Sequence, residues 1–167
     1  MKFKIILIVT SLLFVQSSFA QATSWEKWSW LIGEWISEQG EKSEEGNGSF
    51  SLFPDLDSNV LVRKSSTHFP ATLEREAFTH NDLVIIYPDY SSKVTKAIYF
   101  DNEKHTINYT VSYSEKEIIF QSEGTSVPVF RLRYTYINSD TINVSFDISM
   151  DGTNFMTHVS GNCVKIK

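Results

Sequence analysis

The sequence predicts an all-β protein, an up-and-down antiparallel β-barrel of about ten strands behind a short N-terminal helix. Three observations predict it. The first is strict two-residue alternation. Ile142, Val144, Phe146, Ile148 and Met150 share one side of a run, while Asn143, Ser145, Asp147 and Ser149 share the other. Phe130, Leu132, Tyr134 and Tyr136 oppose Arg131, Arg133 and Thr135 in the same way. Such alternation marks strands with one face on a core. The second is turn chemistry, because Asp151-Gly152 between two such runs is a hairpin signal. The third is the succession of strand-like runs joined by short polar turns, without a linker or repeat between them. A sheet that long escapes its exposed edges by closing, and a closed barrel of this size has room for a small ligand. A Greek-key sandwich is the alternative arrangement.

The elements follow in order. Residues 1–20 read as an export signal. Lys2 and Lys4 precede the apolar stretches Ile5–Val9 and Leu12–Val15, and Ser18-Phe19-Ala20 supplies the small residues of a cleavage site. The apolar stretch is too short to span a membrane comfortably. The expected mature domain is residues 21–167, exported to the periplasm or the extracellular space, with no integral membrane segment once the signal is removed. Thr23-x-x-Glu26 has the form of a capping box. Trp25, Trp28 and Ile32 then fall on helical spacing, so residues 24–31 are read as a short helix ended by Gly33.

After Gly33 the period becomes two. Strands are expected at 34–39, 48–53 and 60–69, with a polar loop at 38–47. Residues 74–80 and 83–87 are read as two strands, separated by Asn81-Asp82 and stopped by Pro88. Runs 94–101 and 105–113 pair across a turn at Asp101-Asn102-Glu103, and 116–123 follows. Runs 128–137, 141–149 and 155–166 close the chain.

Composition bounds the function. The 167 residues are 41% hydrophobic, enough for one globular core. Fifteen basic residues against twenty acidic ones give a net charge of −5 without a basic stripe, which excludes a nucleic-acid partner. Cys163 is the only cysteine, so an intramolecular disulfide framework and a multi-cysteine metal site are both excluded.

The segment Trp30-Leu31-Ile32-Gly33-Glu34-Trp35 resembles the calycin signature, a short helix followed by Gly-x-Trp in the first strand. The resemblance implies that Trp35 packs across the closed end of a barrel. It also implies a basic residue of the last strand over that ring, a place Lys165 or Lys167 can fill in the absence of arginine. The chain further resembles an uncharacterised family of exported bacterial proteins with a lipocalin-like domain. The stretches that carry this are Phe69–Thr72, His80–Tyr87, Ala97–Asp101 and Phe130–Tyr134. That resemblance implies a fold and export, and no catalytic residues.

Candidate site residues come from chemistry on strands. His68, His80, His105 and His158 have no metal-ligand spacing, so no metal is expected. His80 and His105 lie on neighbouring strands, with Asp82 or Asp101 close by. Arg63, Arg75, Arg131 and Arg133 sit in strand-like runs beside Tyr87, Tyr99, Tyr109 and Tyr134. An inward arginine flanked by tyrosines would grip an anion. The ligand-binding set expected is therefore Arg63, His80, Tyr87, Tyr99, His105, Tyr109 and Arg131. His158 on the last strand is the one candidate axial ligand for a haem; no other cofactor is expected. Asp55, Asp57 and Asn59 alternate oxygen atoms as calcium loops do, but they lack the glycine and terminal glutamate of such loops and read as a turn. Cys163 reads as a small core residue.

The function expected is binding of a small apolar or amphipathic molecule inside the barrel. One alternative is a small acid–base enzyme of isomerase, cyclase or decarboxylase type, using His80, His105, Tyr87 and Asp101. The other is a ligand-free envelope interaction module whose barrel is packed shut.

Overall fold

The computed structural model describes residues 25–38 and 47–166. The export signal, Thr23 of the capping box, most of the 38–47 loop and Lys167 lie outside the described residues. The chain starts with a 3₁₀ turn at Glu26–Trp28 and continues as ten strands. These are β1 (Gly33–Ser37), β2 (Asn47–Asp55), β3 (Val60–Phe69), β4 (Phe78–Asp89) and β5 (Val94–Asp101). They are followed by β6 (Thr106–Tyr113), β7 (Glu117–Ser122), β8 (Val129–Asn138), β9 (Thr141–Ser149) and β10 (Met156–Lys165). Every strand pairs antiparallel with its sequence neighbours, and β1 also pairs with β10, so the sheet is a closed up-and-down barrel. The barrel expected from the alternation is the barrel observed.

The expected helix is only a 3₁₀ turn. Trp25 stands at its N-cap position with no side-chain cap. The turn is held by tertiary contacts instead, the usual source of stability for so short a segment. Trp25 and Trp28 meet edge to face at 5.7 Å, and Trp28 meets Phe120 at 6.0 Å. The Trp25 indole N–H donates to the Ser58 carbonyl at 2.8 Å. Ser58 belongs to the β2–β3 turn, where Leu56, Asp57 and Ser58 are all left-handed. An Asp55 oxygen accepts the Leu56 N–H at 2.6 Å, so the acidic run is a structural turn.

Trp35 is fully buried, and its indole N–H donates to the Leu31 carbonyl at 2.9 Å. Lys165, its partner across β1–β10, sets its ammonium 5.2 Å from the Trp35 ring centroid. Lys165 thus occupies the place that the calycin resemblance assigns to a basic residue. The tryptophans therefore plug one end of the barrel. The turns 70–77, 102–105, 123–128 and 150–155 lie at the other end.

One pair of expected strands is a single strand. Asn81 and Asp82 run straight through β4, paired with Ser66 and Ser65 on β3, and Asp82 also pairs with Asp101 on β5. Asn102 Oδ1 accepts the Asn81 N–H at 3.0 Å, and Arg63 neutralises Asp82, so the turn-forming preference is overridden. Residues 74–77 lie in the loop before β4, and β4 continues through Pro88. Pairing with β3 ends at Ile86, so Pro88 faces only β5, where proline is tolerated.

The alternation on β8 and β9 has the expected period, with Tyr134 and Ile142 buried inside. Burial is not one-sided, however. Ser145, Asp147 and Ser149 on the outer face are buried too. Arg133 lies across them, with Nε donating to Ser145 at 3.1 Å and Nη2 placed 3.3 Å from Asp147. Met150 falls beyond β9 and is exposed.

Gly33 is required by its backbone conformation. Its φ is +138°, and a Cβ there would stand 2.7 Å from Lys165 Cε. Gly161 on β10 has no positive φ and open space at its Cβ position. Gly33→Ala is expected to destabilise the fold by about 1–3 kcal/mol. Gly161→Ala is expected to stay within about 0.5 kcal/mol of wild type. Urea melts of the two variants check this pair of outcomes.

Candidate functional site

Below the open end the interior holds a cavity of about 680 Å³. Period two on each strand decides what faces it. Counting back from buried Val84, β4 turns Asp82 and His80 inward; counting on from Ala97, β5 turns Tyr99 and Asp101 inward. Arg63 on β3 pairs with Val84 and so reaches Asp82 diagonally. Ile107 continues the wall beside Tyr99, and the opposite wall, from β8 and β9, is apolar: Phe130, Leu132 and Phe146. Tyr109, Glu103, Lys104, His105 and Thr106 complete the lining.

Arg63 is the deepest charge. Its Nη1 donates to Asp82 Oδ1, and its guanidinium stacks 5.0 Å from the Phe50 centroid and 5.9 Å from that of Tyr134. Burial opposes its charge, but Tyr134, Asp82, Tyr99 and Cys163 outweigh that and raise its pKa above the ordinary value. Its Nε and the Tyr134 hydroxyl are buried without a hydrogen-bond partner. The side chains of Arg63 and Asp82 are only 10% and 8% exposed.

Five polar side chains form a chain along the mouth. His80 Nδ1 lies 2.8 Å from Glu103 Oε1, and a carboxylate can only accept, so Nδ1–H donates. His80 Nε2 lies 3.0 Å from the Tyr99 hydroxyl. That hydroxyl donates to Asp101 Oδ2 at 3.1 Å, and His105 Nδ1 approaches the same oxygen at 2.8 Å. Asp101 Oδ1 accepts the backbone N–H groups of Glu103 and His105, both at 2.9 Å. Burial pushes the Asp101 carboxyl up, but these donors prevail and hold its pKa at about 2. Burial raises the Tyr99 phenol far above its ordinary value, with Asp82 and Asp101 adding to the shift. Burial and Asp82 raise Tyr109 as well, against Arg63. Both hydroxyls therefore stay protonated across the physiological range. The arrangement can bind polar groups, and His80 is its member with a ring nitrogen set to take or give a proton.

Arg63, His80, Tyr99, His105 and Tyr109 come together as cavity lining. Two residues of the expected set do not. Tyr87 follows inward Ile86 and so faces outward, opposite Lys96. Arg131 is outward as well, 3.5 Å above the Phe155 ring and donating to Gln121 at 2.9 Å. The odd–even count puts both on the wrong face once the inner face is known. Arg75 is not in a strand and stacks on Phe69 and Phe78. His158 is exposed at a β10 register shift and does not line the cavity, so it does not fit a haem ligand inside the barrel. Among the described residues no group of three or more His, Cys, Asp or Glu side chains is arranged to hold a metal ion. Cys163 pairs with Ile142, and burial pushes its thiol up to about 11, as befits a core residue.

Asp82 as the partner of Arg63, Glu103 as the partner of His80, and the apolar wall were not identified from sequence. The signal for Asp82 was available, because it alternates with Val84 and Ile86.

No protein-family model matches the chain, and no curated protein is similar to it.

Breaking the buried pair should cost more than removing it. Arg63→Leu or Asp82→Leu alone is expected to destabilise by about 3–5 kcal/mol, while the double variant loses less than either. Denaturant melts of the three variants test this, and a double variant weaker than both singles refutes it. A second outcome concerns acid. The stability contributed by Asp101 is complete above the ordinary carboxyl value of 3.8 and is lost as pH falls through about 2. Asp101→Asn should flatten the acid limb of the stability–pH curve in that window, followed by circular dichroism.

Proposed function

We propose that the mature chain is exported and holds a small amphipathic molecule in the mouth cavity of a calycin-like barrel. The observation that carries this reading is the two-sided lining of the cavity. Phe130, Leu132 and Phe146 offer an apolar wall, and Arg63, His80, Asp82 and Tyr99 face it with polar groups. A volume of about 680 Å³ lies within the range of small-molecule sites. The Ser18-Phe19-Ala20 cleavage site and the resemblance to exported lipocalin-like bacterial proteins support the same reading.

The Glu103–His80–Tyr99–Asp101–His105 chain favours a second reading, acid–base catalysis on a bound substrate. His80 would exchange a proton with the substrate, and Glu103 would orient its ring. Tyr87 has no part in it, since it faces away.

The tryptophans plug the far end and do not line the cavity, so their emission is a poor reporter of it. The neutral dye N-phenyl-1-naphthylamine is the better probe. Residues Gln21–Lys167 are expected to take it up with a rise in dye emission. Leu132→Trp, which fills the apolar side, should weaken uptake about tenfold or more. Native mass spectrometry of protein recovered from the exporting cell should add a co-purifying small molecule. A barrel that takes up no dye and carries no added mass overturns the binding reading.

A further inference from the structure

We infer that the head group this cavity accepts is neutral, with a hydrogen-bond donor beside an acceptor, as in a carboxamide, rather than a carboxylate or an ammonium. This rests on the binding reading above and deepens it.

The charge pattern at the polar wall points this way. Arg63 is the buried cation, but Asp82 already lies against it, both side chains being nine-tenths buried. An anionic head that reached Arg63 would meet the Asp82 carboxylate in the same place. Asp101 and Glu103 also line the cavity, against Lys104 as the remaining permanent cation. Both histidines are committed to carboxylates, His80 to Glu103 and His105 to Asp101. An alkyl carboxylate entering this wall leaves water for a site with more negative than positive groups.

An ammonium fares no better. Asp101 is the most enclosed of the carboxylates, and four donors already occupy it: Tyr99, the His105 ring, and the backbone of Glu103 and His105. Asp82 is shared with Arg63, so a cation beside it would stand against the guanidinium.

What the pair does offer is a dipole. Asp82 Oδ2 lies 3.9 Å from His80 Nε2, beyond hydrogen-bond reach, and keeps acceptor capacity. Arg63 lines the cavity and keeps guanidinium N–H groups beyond the one that Nη1 gives to Asp82. A donor and an acceptor side by side match an amide, whose carbonyl accepts from Arg63 while its N–H donates to Asp82. No net charge is then transferred from water. The apolar tail lies against Phe130, Leu132 and Phe146 on the opposite wall.

The test is displacement of bound N-phenyl-1-naphthylamine from Gln21–Lys167 by octanamide, octanoate and octylammonium at about pH 8, where both charged heads are ionised. The tails are identical, so the order reports the head group. Octanamide is expected to displace the dye at concentrations about tenfold lower than either charged analogue. Asp82→Asn uncovers Arg63 and should shift the preference toward octanoate by about tenfold. Octanoate or octylammonium displacing as well as octanamide overturns the head-group assignment and leaves the binding reading standing. Bound dye displaced by none of the three also overturns the assignment. No dye uptake together with no co-purifying mass overturns the binding reading itself, and this inference with it, while a co-purifying molecule with a charged head group overturns the head-group assignment alone. The wild-type series decides the matter even if Asp82→Asn does not fold.

Discussion

Everything in this barrel depends on the closure of β1 onto β10. Among the described residues three register pairs make the joint, Trp35 with Lys165, Ile36 with Val164, and Ser37 with Cys163, and hydrogen bonds from the Glu38 N–H to the Asn162 carbonyl and from the Ile166 N–H to the Glu34 carbonyl extend it. Without them the sheet has two free edges and no inside. Closure is what makes the inner face a separate environment. Gly33, where β1 enters the joint, must be glycine because its φ of +138° is a conformation that residues with a side chain rarely adopt. Lys165 lies over Trp35, and Trp35 stacks on Phe50, so the joint and the plug are one packing unit.

Plugging one end decides where function can sit. The aromatic side chains of the 3₁₀ turn, β1, β2, β7 and β8 fill the lower interior, through contacts such as Phe50 to Tyr134 and Phe120 to Tyr134. Aromatic pairs of this kind contribute about 0.5–1.5 kcal/mol each beyond the area they bury. They leave the space toward the open end to smaller or polar inward residues. The barrel is thus packed shut at one end and hollow at the other, and a uniformly filled interaction module does not describe it.

The polar wall follows from a cost. A buried arginine needs a counter-charge, and the inward face of β4 supplies one in Asp82. The pairing neutralises Arg63 while holding its donors in an apolar enclosure. The same economy holds higher up, where Asp101 accepts four hydrogen bonds and fixes both the β5–β6 turn and the Tyr99 hydroxyl. Rigid, satisfied polar groups beside an apolar wall are the ingredients of selective small-molecule recognition.

Local periodicity was enough for much of this. The alternation around Ile142 and Phe130 and the Asp151-Gly152 turn were enough for the strands and the barrel, because each depends on neighbours in the chain, and the place of Trp35 at one end followed from the resemblance of Gly33-x-Trp35 to calycins. Residue chemistry picked out Arg63, His80, Tyr99, His105 and Tyr109 together with Tyr87 and Arg131. Register and partners across strands are not local, and only the tertiary structure decided them. It ran β4 through Asn81-Asp82, because two flanking strands offered hydrogen bonds that outweigh a turn preference. It turned Tyr87 and Arg131 outward, because a two-residue period names two faces but not which one is inside. It joined Arg63 to Asp82, nineteen residues apart, because burial makes a charge seek a partner wherever the sheet brings one, and His80 to Glu103, twenty-three apart, because the β5–β6 turn comes to lie beside β4.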